Sequence, residues 1–492
     1  MEFKLMSTER TFFGHPRALA PLFMAELWER FSYYGIRPLL VLFLTATVMQ
    51  GGYGFDRPTA AAIVGIFTGS VYLATLPGGW LADNVFGQAR SMWWGSILIA
   101  CGHLSIALAH LFGSTAFFVG LGLIVMGSGL FKTCASVMVG RLYEDTDQRR
   151  DAGYSIFYMG INLGSMVAPL ITGLLAQEYG WSWGFGAGGL GMLISLIIYR
   201  VYAKATFDRL TNDLPPISRQ KMTAIMLGLV ASILAIIILL ATFPPLVIAS
   251  SMTYVLATIV VLYISWLFIF GGLSGNEKKR IVLCLILFVA AAVFWSANEQ
   301  QPTALNLFAQ DFTDRHVGGF LIPTVWFQSI NPVTIVIFAP IVGLLWQRWP
   351  VHGLSSSIGK FIIGFLMCAT AFGVMYLAAN LVLGGQHQVS PLWLLGAYLL
   401  FSIAELFVSP VGLAAMTLIA PKHLQGQMMG LWFTAAALGN LIAGLVGGHV
   451  DPKNVAQMPN LFGHTAIALL IVAVLLSILV PLMKRWVNEK IV

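Results

Sequence analysis

The sequence predicts an all-α polytopic membrane protein of fourteen transmembrane helices, and three observations carry that prediction. Of the 492 residues 58% are hydrophobic, and the 50 glycines bring the apolar share to roughly two thirds, against about 45–50% in an ordinary globular domain. Charged residues make up 10%, against about 25%. Apolar runs long enough to cross ~30 Å of hydrocarbon recur from one end of the chain to the other. Two or three soluble domains could not bury this much side chain. Disordered, collagenous and disulfide-scaffold classes are excluded by the same arithmetic.

The spans fall near 19–48, 59–82, 91–111, 115–140, 153–176, 183–202, 222–243, 250–272, 281–308, 319–346, 357–383, 390–419, 424–447 and 461–482. Breaks carry Gly, Pro and charge, as in Gly51-Gly52-Tyr53-Gly54, Pro215-Pro216 and Gly384-Gly385. Basic residues test this count through the positive-inside rule. With the N-terminus on the cytoplasmic side, 21 Lys and Arg, including Lys4, Arg10, Lys204, Arg209 and Lys490, fall on inner segments. Only Arg57, Arg315 and Lys453 fall outside, and 3 more lie within spans, which accounts for all 27. An error of one helix would scramble the alternation downstream, so both termini are expected to be cytoplasmic. Glu26, Glu29 and Arg30 interrupt the first run where a signal peptide is continuous, so no cleaved signal is expected. The longest charged spacer, Tyr202 to Lys221, follows the sixth span. The resulting organisation is a six-helix bundle over 1–204, a linker with two extra helices over 205–280, and a second six-helix bundle over 281–492. The extra pair holds no charged residue and reads as lipid-facing structure.

Several functions drop out. The net charge of +7 sits in short spacers rather than on one polar face, so no nucleic acid is implied. Cys101, Cys134, Cys284 and Cys368 lie in apolar runs without metal-ligand spacing, and the nine histidines form no metal set. No phosphate loop is present, which argues against an ATP-driven pump. No poised nucleophile suggests an enzyme. No cofactor and no obligate protein partner are expected.

What remains to explain is seven charged residues inside predicted spans: Glu26, Glu29, Arg30, Arg37, Lys132, Glu299 and Glu405. Each costs roughly 2.5–3.5 kcal/mol on insertion scales, so such residues face a bundle interior or a watery cavity. Structural ion pairing would explain one of them; seven together point to a transport path. Glu26, Glu29, Arg30, Tyr33, Tyr34 and Arg37 occupy an arc of about 140° at 100° per residue, a polar face on a membrane helix. Glu26 and Arg30 have the i,i+4 spacing of an ion pair with the acid N-terminal. Arg37 and Lys132 have no acid nearby in the chain, and Glu299 and Glu405 have no base. Pairing between the two halves of the molecule would suit a protein with two conformations. Four acids against three bases leave one carboxylate unbalanced, which motivates proton coupling without saying which acid titrates. Tyr72, Asn162, Gln328 and Asn331 stand in otherwise apolar spans, where a packing hydrogen bond is the commoner role. Asn331-Pro332 suggests a kink, and Trp295 and Trp432 suggest pocket walls.

These segments resemble the proton-dependent oligopeptide transporter family, a branch of the major facilitator superfamily. The matches are Glu26-x-x-Glu29-Arg30-Phe31-x-Tyr33-Tyr34-Gly35, Phe157-Tyr158-x-x-Ile161-Asn162-x-Gly164-Ser165, and Phe294-Trp295 through Glu299-Gln300. Phe327-Gln328-Ser329-Ile330-Asn331-Pro332, Glu405-Leu406 with Ser409-Pro410-x-Gly412-Leu413, and Met428-Met429-Gly430-x-Trp432-Phe433 continue the pattern. Leu81-Ala82-Asp83 with Gly87 and Arg90 is similar to the superfamily motif between helices two and three. The resemblance implies the major facilitator fold with two extra central helices, and symport of protons with di- and tripeptides by alternating access across the inner membrane. Glu26, Glu29, Arg30 and Glu299 would then couple the proton. Arg37 and Lys132 would attract the peptide carboxylate, and Asn162, Asn331 and Glu405 would hold its amino end. Tyr33, Tyr34, Tyr72 and Trp432 would line the pocket. Arg37–Glu299 and Lys132–Glu405 would be gating salt bridges. Two departures are visible. Lys132 is followed by Thr133-Cys134 where many relatives have Pro-Asn, and no histidine lies near Tyr72 in the second helix. The competing expectation is another solute, nitrate or a peptide-like metabolite, on the same scaffold.

Overall fold

A computed structural model of the chain describes residues 12–144, 147, 149–203, 218–348 and 354–487. Lys4, Arg10, Lys204, Arg209, Lys490 and most of the Tyr202–Lys221 spacer lie outside these residues. The long helices are α1 (Leu19–Thr45), α2 (Arg57–Leu81), α3 (Gln88–Ala107), α4 (Ser114–Gly140), α5 (Arg150–Tyr179), α6 (Trp181–Ile198), α7 (Arg219–Thr242), α8 (Pro245–Phe270), α9 (Gly275–Asn298), α10 (Ile330–Gln347), α11 (Leu354–Leu383), α12 (Leu392–Ile419), α13 (Gln425–Gly447) and α14 (Gln457–Val487). Eleven segments among the described residues are long and apolar enough to cross a membrane. Helix α1 falls outside that group because every stretch of membrane-spanning length in it carries at least three of Glu26, Glu29, Arg30 and Arg37. Membrane helices satisfy their own backbone hydrogen bonds, which is why an apolar chain of this kind takes this form.

Two expectations need correction. The span expected over 281–308 is not one smooth helix. Helix α9 ends at Asn298, a π-helical turn covers Gln301–Leu305 around Pro302, and a short helix follows at Asn306–Phe312. Proline cannot donate to the ladder, and the π turn absorbs the break next to Glu299. The span expected from residue 319 begins instead at Thr324, after a small hairpin (His316–Val317 with Phe320–Leu321), and its 3-10 turn at Thr324–Ser329 runs directly into α10. Gly318 and Gly319, both at positive φ, make that hairpin's turn. Pro332 falls where the 3-10 turn has just passed into α10.

Contacts gather the chain into two units. One comprises residues 1–36 and 73–238, the other 37–72 and 239–492. The divisions within α1 and α2 fall beside carbonyls that proline deprives of a helical partner, Tyr34 before Pro38 and Leu73 before Pro77.

In the first unit α3 and α4 pack through glycines. A Cβ on Gly95 would come within 2.7 Å of the Gly127 carbonyl, and one on Gly102 within 2.7 Å of the Gly120 carbonyl. Small residues let helix backbones approach this closely where lipid gives no hydrophobic drive. The N-terminal half of α1 packs on α5 the same way, at Gly160 against Phe23 and at Gly164 against the Leu27 carbonyl. Helix α4 runs unbroken past Thr133-Cys134, with Cys134 Sγ bonded to the Leu130 carbonyl at 2.9 Å.

In the second unit α11 is buried among α12 and α14 through Phe361, Phe365, Phe372, Phe401 and Phe462. The N-terminal half of α2 lies on α13, where Gly65 meets Gly444 and Gly69 meets Leu441. Helix α8 exposes Tyr254, Val255, Ile259, Leu262, Trp266 and Phe270, the surface of a helix in lipid.

Candidate functional site

Helix α1 presents its charged face inside the first unit. Glu26, Glu29 and Arg30 are 3%, 1% and 4% exposed. Arg30 Nε lies 3.4 Å from Glu26 Oε1, and the guanidinium also bonds Glu29. Ser128 Oγ of α4 donates to Glu29 Oε1 at 3.3 Å. Arg30 sits 5.3 Å from the centre of the Tyr33 ring, which meets Tyr34 edge-on at 5.2 Å. Lys132, one turn beyond Ser128, stands near enough for its charge to act on Glu26. Two acids thus face two bases in this unit. Glu26 Oε2 is buried with no hydrogen-bond partner among the described residues. A buried carboxylate oxygen without a donor is the kind of atom that a proton satisfies. Asn162 is buried on α5, but its Nδ2 bonds the Tyr158 carbonyl of its own helix at 3.0 Å.

The second unit holds the other set. Arg37 Nη2 lies 2.7 Å from Glu299 Oε2, with side chains 10% and 5% exposed. Asn331 Nδ2 donates to Glu405 Oε2 at 3.0 Å. Glu405 thus has an amide partner, and here two acids share one base. Tyr72 is half-buried, and Trp432 is 3% exposed. Trp432 is wedged against Gly412, where a Cβ would come within 1.9 Å of its Cη2. Gly412 and Trp432, from two of the matched segments, therefore pack α12 on α13.

Sequence reasoning missed two parts of this set. Tyr398, fully buried, receives Gln328 Nε2 at 2.6 Å and donates to the Gln301 carbonyl at 3.3 Å. Its spacing of seven residues from Glu405 puts both on one face of α12, which was the signal available. The second part is a latch: Arg57 lies 2.5 Å from Asp311 Oδ2 and 3.8 Å from Asp451, and donates to the Val450 carbonyl at 2.9 Å. It ties the start of α2 to the short helix Asn306–Phe312 and to the loop after α13. Asn306 Nδ2 adds a 2.7 Å bond to the Pro38 carbonyl.

Buried opposite charges on the helices of a polytopic membrane protein mark a transport path by default. A family model for the POT family matches residues 89–461. The "Peptide transporter YePEPT" of Yersinia enterocolitica is 52% identical over 494 aligned positions, covering 98% of this chain and 97% of that protein. A "Di-/tripeptide transporter" of Lactococcus lactis subsp. cremoris is 35% identical, covering 96% and 97%. Among solved structures, a peptide transporter POT in complex with alafosfalin superposes with a TM-score of 0.89 at 35% identity, covering 98% and 97%. A POT family transporter in complex with 5-aminolevulinic acid gives 0.86 at 29% identity, covering 96% and 98%. The chain belongs to the POT family of transporters.

Proposed function

We propose that this protein carries di- and tripeptides into the cell together with protons, by alternating access. The observation that supports the reading most is the division of buried charge. One unit carries Lys132 with the Glu26–Glu29–Arg30 cluster, and the other carries Glu405 and Asn331 with the Arg37–Glu299 pair. A zwitterionic peptide needs a cation for its carboxylate and an anion for its amine. Lys132 and Arg37 serve the first end; Glu405, Asn331 and Asn162 serve the second. Tyr33, Tyr34, Tyr72 and Trp432 line the backbone path. Side chains then meet apolar walls, which makes selectivity broad.

Glu26, Glu29, Arg30 and Glu299 couple the proton. The Arg37–Glu299 bridge and a Lys132–Glu405 bridge are the gates, each made in one state and broken in the other. The relatives' names support peptides as the cargo. The functional division is two six-helix bundles, 1–204 and 281–492, joined by 205–280. Both termini face the cytoplasm from the inner membrane, as the basic residues argue. A second reading is a peptide-like metabolite bearing an amine and a carboxylate, supported by the relative crystallised with 5-aminolevulinic acid.

Uptake of labelled dialanine into proteoliposomes, with and without an inward proton gradient, tests the proposal. Gradient-driven accumulation that excess tripeptide blocks, and that nitrate, free alanine and 5-aminolevulinic acid do not, is the expected result. Block by 5-aminolevulinic acid alone would favour the second reading, and no uptake by folded protein would remove both.

A further inference from the structure

Helix α1 also makes a polar contact on the side away from its charged face. At 100° per residue Ser32 lies about 130° round the helix from the middle of the charged arc. Its Oγ is 2.5 Å from His103 Nε2 of α3. The other ring nitrogen, His103 Nδ1, is 2.9 Å from the Phe185 carbonyl oxygen of α6. A carbonyl only accepts, so Nδ1 is the donor, and a neutral ring then accepts the Ser32 hydroxyl proton at Nε2. Ser32 and His103 are 1% and 0% exposed. The ring lies flush on Gly188, where a Cβ would come within 2.3 Å of its Cε1. Neither residue belongs to the charged set.

The contact closes a loop of interactions. His103 stands one residue from Gly102, which locks α3 to Gly120 of α4, and Gly95 repeats that lock at Gly127. Ser128, next to Gly127, donates to Glu29 of α1. Helix α1 is therefore held to a single α3–α4 block at two points, Glu29 on its charged side and Ser32 on its back. A slip of one residue, 100° and about 1.5 Å, would break the Ser32 bond and carry Glu26, Glu29 and Arg30 off Ser128 and Lys132.

We propose that His103 is a positioning residue for proton coupling: through Ser32 it sets the rotation and depth of α1, and so the geometry in which Glu26, Glu29 and Arg30 face Lys132. The inference rests on the proton-coupled reading above. The charged and titratable groups acting on that cluster are Glu26, Glu29, Arg30 and Tyr34 of α1 and Lys132 of α4.

The test compares wild type, Ser32→Ala, His103→Leu, the double variant and His103→Gln in proteoliposomes, reading the pH midpoint of dialanine uptake. Ser32→Ala and His103→Leu are each expected to move the midpoint by roughly half to one unit. The double variant is expected to move it no further, because one interaction is lost only once. His103→Gln, which keeps an acceptor for Ser32, is expected to stay near wild type. Ser32→Ala removes a single oxygen, so it keeps the test sound if His103→Leu does not fold. Unchanged midpoints in folded, transporting Ser32→Ala protein would overturn the inference, as would additive shifts in the double variant. Loss of gradient-driven uptake in wild type itself would instead sink the proton-coupled reading, and this inference with it.

Discussion

Replacing Glu299 by Gln leaves Arg37 buried beside a neutral amide. The two groups are 2.7 Å apart, and neither side chain is more than 10% exposed. Breaking a buried pair by removing one charge costs up to about 3–5 kcal/mol, because the survivor stays in low dielectric without that partner. Removing both charges is far cheaper and is often close to neutral. At 1.4 kcal/mol per tenfold, the single change disfavours the folded, paired state by up to roughly 10² to 10³. The pair joins the C-terminal half of α1 to the end of α9, so this state is the one whose population falls. Thermal unfolding in detergent should therefore show Glu299→Gln well below wild type, and Glu299→Gln/Arg37→Gln recovering much of the loss. Proton-driven uptake should be lost in both, since both lack the Glu299 carboxylate. A single variant as stable as wild type, or a double variant less stable than the single, would refute the argument. So would undiminished driven uptake in either.

Further outcomes follow from the same geometry. Gly412→Ala drives a methyl into Trp432; overpacking of this kind costs typically about 1–3 kcal/mol, and a lower unfolding midpoint with weaker dialanine binding is expected. Arg57→Ala leaves Asp311 and Asp451 facing each other without their cation; net uptake should slow, and Asp311→Asn in the same protein should restore part of the lost stability. Asp147, in the loop before α5, is held down at about 2 by hydrogen bonds from Arg149. A lowered carboxylate contributes stability above its ordinary range and loses it only as the pH falls towards that lowered value. Asp147→Asn should therefore leave the pH profile of uptake between about 5 and 8 unaltered, and a shifted profile would show that this loop does titrate with transport.

The charged face of α1 was legible because helical periodicity places residues three and four apart together, and a polar face on an apolar helix has few alternatives. The inward placement of Lys132, Glu299 and Glu405 within spans was legible for the same reason of cost. What local pattern cannot supply is a partner distant in the chain. Arg57 reads as an ordinary outer-loop arginine until Asp311 and Asp451 arrive beside it. His103 offers no acid within reach in sequence, and its partners are a hydroxyl on α1 and a carbonyl on α6. The break after Glu299 was hidden because apolar residues resume after Pro302, so Asn298-Glu299-Gln300-Gln301 read as a polar patch within one span. The odd carboxylate of the sequence count falls in the second unit, where Glu299 and Glu405 share Arg37 alone. Assigning charge to that unit required knowing where each helix packs.

Proton movement itself tests the central claim most directly. Proteoliposomes holding a trapped pH dye, with no imposed gradient, would receive dialanine outside while the membrane potential is clamped inside-negative. The account predicts acidification of the lumen that depends on dialanine, is absent with free alanine, and disappears in Glu299→Gln. Dialanine accumulation with no change in lumenal pH would contradict it.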